Sequence, residues 1–149
     1  MATTPTQTHP LFTLPLTHNT DFTELAGNCE QFVDALVECD EPVTKLALCG
    51  RLSACLALLQ PTLLEPIPEH LHEILTVDEP PTRLPAFEPE ADQLGHYCQT
   101  LTQLLMSGAL ADDAGHVMQD LLFELVSYYS DMLKMPRWIR TQDGMIALG

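Results

Sequence analysis

The sequence predicts an all-α fold, an antiparallel helical bundle of about five helices with an extended N-terminal segment and a short C-terminal hook or hairpin. Three observations predict it. Apolar residues recur at helical spacing in several long segments. Prolines and turn residues gather between those segments. The chain has 149 residues, 46% of them hydrophobic, which is enough for one domain with a real core. The expected organisation is therefore an N-terminal segment over 1–19 and a single helical domain over 20–149. No internal repeat of fixed period competes with it.

The clearest helix lies over 117–133. Met118, Leu121, Leu122, Leu125, Val126, Tyr129, Met132 and Leu133 form a wide apolar stripe, with Asp120, Glu124, Ser127 and Asp131 opposite. The other helices are expected to lie against it.

In chain order, the start is rich in Thr and Pro and reads as a loose tail. Leu11, Phe12, Leu14 and Leu16 are too apolar to stand in water, and Pro10 and Pro15 oppose a helix there. That part is expected to lie extended in a groove of the body or of a neighbouring subunit. Asp21 and Glu24 make a variant capping box for a first helix, followed by Phe22, Leu25, Cys29, Phe32 and Leu36 at helical spacing. Pro42 fits the first turn of a second helix reaching about Gln60. Its predicted face is Val43, Leu46, Ala47, Cys49, Leu52, Leu56 and Leu59, widened by other apolar residues until little polar surface remains. Such a helix is central or sits at a subunit contact.

Pro61, Pro66 and Pro68 then break the chain. A short third helix is expected over 69–77, burying Leu71, Ile74 and Leu75. The segment 78–90 holds four prolines and reads as an exposed crossing loop rather than a domain boundary. A fourth helix is expected over 91–107, with Gly108 as its stop, and Asp112 or Asp113 as the cap of the last one. Pro136 ends that helix, and Asp143-Gly144 signals a turn in the tail.

The formal charge of −15, from 6 basic and 21 acidic residues, disfavours direct nucleic-acid binding and docking on an anionic membrane. No unbroken apolar run approaches the roughly 18 residues of a membrane helix. With no secretory signal and five unpaired cysteines, the expected location is cytoplasmic. Cys29, Cys49, Cys55 and Cys98 fall on or near apolar faces and read as small hydrophobes.

Motifs for nucleotide binding, metalloprotease or esterase chemistry are missing, so no cofactor and no metal is expected. His70 and Glu73 would be one turn apart on a helix, but two ligands do not make a metal site. His116 lies four residues from Asp112 and from Asp120, which suits an oriented imidazole but supplies no nucleophile.

Two features point to partners instead. Glu30, Asp34 and Glu38 form a negative stripe along the first helix, with Glu41 beside it and no basic residue interleaved. At the other end Lys134, Arg137 and Arg140, half of all basic residues, surround Trp138. The expectation is a small, acidic, non-enzymatic protein-interaction module (adaptor, chaperone-like or inhibitor) that binds a protein partner, cationic or DNA-binding, or itself as a homodimer. Its expected contact residues are Glu30, Asp34, Glu38, Glu41, Arg137, Trp138 and Arg140. The alternative is an acidic inhibitor that mimics nucleic acid. An enzyme built on His116 and Asp120 is the third reading.

Overall fold

Asp21 starts the first helix in the computed structural model, which describes residues 10–148. Its carboxylate accepts hydrogen bonds from the Thr23 and Glu24 backbone N–H groups, at 2.9 and 3.0 Å. The helix, α1, runs Phe22–Glu38. Glu41 starts the second, α2 (Pro42–Thr62), by accepting from the Val43 and Thr44 N–H groups, with Pro42 in the first turn. Two acidic side chains thus satisfy donors that helix starts leave open.

The chain forms two compact units that divide between Pro81 and Thr82, inside the proline-rich segment. In the first, α1 packs on α2. Leu25 and Phe32 of α1 meet Leu48 and Cys55 of α2 in a fully buried cluster. Burying each of the larger side chains contributes roughly 1.5–3 kcal/mol. Leu11, Phe12, Leu14 and Leu16 pack against this cluster, so the apolar N-terminal stretch lies on the helix pair. Part of it, Pro10–Thr13, forms a 3-10 turn instead of staying extended. Residues 1–9, the expected loose start of the segment, lie outside the described residues, as does 149.

The expected third helix is not there. Only Glu69–Leu71 forms a 3-10 turn, followed by loose turns. Leu71 is buried, but Ile74 and Leu75 are exposed. A short helix needs packing to offset its nucleation cost, and one buried residue does not supply it. Among the described residues there are therefore four α-helices, not five.

The second unit pairs α3 (Ala91–Met106) with α4 (Asp112–Leu133). Leu94 of α3 is fully buried and Cys98 nearly so. Gly108 ends α3 with a φ of +67°, the left-handed conformation that a side chain would strain. The cap of α4 is Ala111, without a side-chain bond, and Asp112 and Asp113 occupy its first turn. Their charges still suit the positive end of the helix dipole.

Within the second unit α4 packs on α3. None of its residues is fully buried. Met118, Leu122, Leu125, Tyr129 and Met132 are half-buried, while Leu121, Val126 and Leu133 are exposed. A stripe this wide exceeds what the single helix α3 covers.

Past Pro136, β1 (Trp138–Thr141) and β2 (Gly144–Ala147) form an antiparallel hairpin, pairing Trp138 with Ala147, Ile139 with Ile146 and Arg140 with Met145. The turn takes its positive φ, 119°, at Gly144, and Thr141 Oγ1 donates to the Gly144 carbonyl at 2.8 Å.

Candidate interaction surfaces

Alternation along a strand puts Trp138, Arg140, Met145 and Ala147 on one side of the hairpin, and Ile139 and Ile146 on the other. Trp138 is 61% exposed, Met145 71% and Ile146 56%. Both faces are therefore open and apolar. A two-stranded hairpin is marginal alone and normally needs a covering layer. Arg137 and Arg140 are exposed beside Trp138, and Lys134 precedes them at the end of α4. The strand pairing sets Trp138 and Arg140 on the same side, while Lys134 and Arg137 precede the first strand.

The second surface belongs to α2. Its inward side carries Leu48, Cys55 and the half-buried Arg51, Leu52 and Leu59. Val43, Leu46 (75% exposed) and Leu56 point outward, so much of the face predicted as buried is the open one. Cys49, expected as a buried hydrophobe, is exposed. Cys49, Leu52, Ser53, Leu56, Ala57 and Gln60 line a shallow cavity of about 440 Å³. Nothing in the hydropathy of α2 distinguishes its two sides. Unbroken apolar runs also understated this helix: among the described residues, α2 alone is long and apolar enough to cross a membrane, by length and composition.

A third surface, which sequence reasoning missed, is a groove of about 380 Å³ between α3 and α4, lined mainly by Tyr97, Leu101, Leu121 and Leu125. Leu121, expected in the apolar stripe of the last helix, and Tyr97 of α3 are each 40% exposed. The signal was present as two stripes wider than one helix pair can bury.

The acidic stripe lies as its spacing requires. Glu30, Asp34 and Glu38 are exposed on the side of α1 opposite Leu25, Cys29 and Phe32. No ion pair within 4 Å involves them among the described residues. Glu41 differs, because its carboxylate is engaged at the start of α2. Hydrogen bonds from the Thr44 hydroxyl, then the Thr44 and Val43 N–H groups, hold its pKa below the usual carboxylate range.

His70 Nε2 lies 3.3 Å from Asp21 Oδ2, where it braces the α1 cap. His116 is exposed beside a cavity of about 220 Å³ at the start of α4, and no ion pair within 4 Å joins it to Asp112 or Asp120. Among the described residues no three His, Cys, Asp or Glu side chains gather in a metal-binding group.

No protein-family model, no characterised protein and no solved structure matches this chain.

Proposed function

We propose that this chain is a small acidic, non-enzymatic protein-interaction module whose C-terminal hairpin is its main contact, with Trp138 as the anchor and Arg137 and Arg140 beside it. The single observation that carries this reading is the hairpin itself, apolar on both faces and exposed on both. An aromatic anchor flanked by arginines is the composition that interface centres favour. The outer face of α2 and the α3–α4 groove add further apolar area. The partner is another protein or a second copy of this chain.

Light scattering of the purified chain, together with capture from its native cell extract at low and high salt, tests the proposal. A complex that survives high salt and is lost with Trp138→Ala supports it. A strict monomer that retains nothing from the extract, with or without Trp138, contradicts it.

The exposed, unneutralised row of Glu30, Asp34 and Glu38 favours a second reading, an acidic mimic that enters the basic cleft of a DNA-binding protein. Such a complex dissociates with modest salt and disappears when the three carboxylates are reversed to lysine.

A further inference from the structure

Cys55 is fully buried where α2 meets α1. Its thiol donates to the Leu25 carbonyl oxygen, with Sγ 3.3 Å away. Inside α1 that same carbonyl accepts the N–H of Cys29, four residues further on. The Cys55 sulfur therefore sits on the one turn of α1 that carries the Cys29 thiol. Cys29 packs against the same cluster and is half-buried, so it remains in reach of solvent. Burial first, and then the neighbouring Cys29 thiol, push the Cys55 thiol up to about 11. The other three cysteines are placed differently. Cys39 lies at the end of α1 with its sulfur 3.6 Å from the Glu41 carbonyl, Cys49 is exposed, and Cys98 belongs to the second unit.

We infer that Cys29 and Cys55 are a latent disulfide pair, a modification site at which a low-molecular-weight disulfide covalently staples α1 to α2. The Cys29 thiol loses its proton to solvent and attacks one sulfur of the small disulfide, releasing one small thiolate. The Cys55 thiol then loses its proton and attacks the Cys29 sulfur of the mixed disulfide. A Cys29–Cys55 bond forms and the second small thiolate leaves. Two protein thiols are oxidised, and one small disulfide is reduced to two thiols. Exposure fixes the order, because the accessible thiol enters and the buried one resolves.

The test is incubation of the full, reduced Cys39→Ser protein with oxidised glutathione, followed by alkylation, tryptic digestion and mass spectrometry. Cleavage after Lys45 and Arg51 separates Cys29, Cys49 and Cys55 onto different peptides. The expected product is two hydrogens lighter, with the Cys29 and Cys55 peptides cross-linked, a melting temperature raised by several degrees, and full reversal by dithiothreitol. A Cys29→Ser/Cys39→Ser protein with unchanged circular dichroism then gives no cross-link. A stable glutathione adduct on Cys29 that never resolves overturns the inference. So do a cross-link that maps first to Cys49 or Cys98, and thiols that stay unmodified.

Discussion

Arg51 of α2 donates a hydrogen bond to the backbone carbonyl of Leu14, tying the N-terminal stretch to the helix pair across 37 positions of sequence. Its guanidinium carbon also stands 5.8 Å from the centroid of the Phe32 ring, within cation–π range. Arg51→Met keeps the aliphatic stem and removes both interactions. The expected loss is about 1–2 kcal/mol, because the bond is charge-assisted but Arg51 Nε is buried without a partner and its penalty is relieved. Denaturant unfolding measures the loss. Limited chymotryptic cleavage at Phe12 and Leu16 should quicken in parallel, and unchanged cleavage would show that the tie does not hold the segment.

Asp21 gives the first unit a defined acid sensitivity. The Thr23 hydroxyl, the Glu24 N–H and then His70 lower its pKa from 3.8 to about 2. The unfolded chain therefore takes up its proton before the folded one does. The stabilisation is complete above about pH 4 and is lost as pH falls from 3.8 towards 2. Asp21→Ala should cost about 1 kcal/mol at neutral pH, a typical value for a lost cap. The deficit relative to wild type should shrink as pH falls through that window. Melting temperatures at pH 7, 4 and 2.5 check this, and a deficit that stays constant contradicts it.

Gly95 of α3 lies close against Tyr129 of α4. A methyl group at Gly95 would lie 3.1 Å from Tyr129 Oη. Gly95→Ala gains helix propensity, worth about 1 kcal/mol, but crowds the phenol. Removing that oxygen with Tyr129→Phe should make Gly95→Ala more favourable by about 0.5–1 kcal/mol, the coupling of residues in contact. Gly27→Ala in α1, where a methyl group meets nothing within 4 Å, is the control and should be stabilising in both backgrounds. A double-mutant cycle by denaturant unfolding decides it, and additivity would contradict the contact.

The stripe on α1 sets like charges four residues apart, which costs roughly 0.2–0.5 kcal/mol per pair in an isolated helix. Asp34→Lys converts both neighbouring repulsions into attractions. It should raise stability by about 1–2 kcal/mol at low salt and by less at high salt. Thermal melts at two ionic strengths test this, and a destabilised variant would show that the Asp34 carboxylate has a partner in the folded chain.

Legibility in the sequence followed locality. The Asp21 cap, Pro42 at the start of α2, Gly108 after α3 and the turn ending at Gly144 each depend on a few neighbouring residues, and each is where the pattern indicated. The 69–77 helix failed because its formation depended on packing that only Leu71 obtains. The inward side of α2 was misread because a helix apolar all round has no period to read, and partners alone decide that Leu48 turns in and Leu46 out. Within its own unit α4 has a stripe wider than α3 covers. At the candidate sites, Trp138 and its arginines were legible as composition. The α3–α4 groove and the seating of Cys55 on the α1 turn at Leu25 were not, because both arise between elements.

The proposal stands most directly on the open hairpin, and light scattering of the pure chain against Trp138→Ala and Ile146→Thr, with and without partner captured from the native extract, tests it. The predicted result is a wild-type complex, resistant to high salt, that both variants weaken at least tenfold while circular dichroism stays unchanged. A complex of equal strength in all three proteins, or none in any of them, would contradict the account.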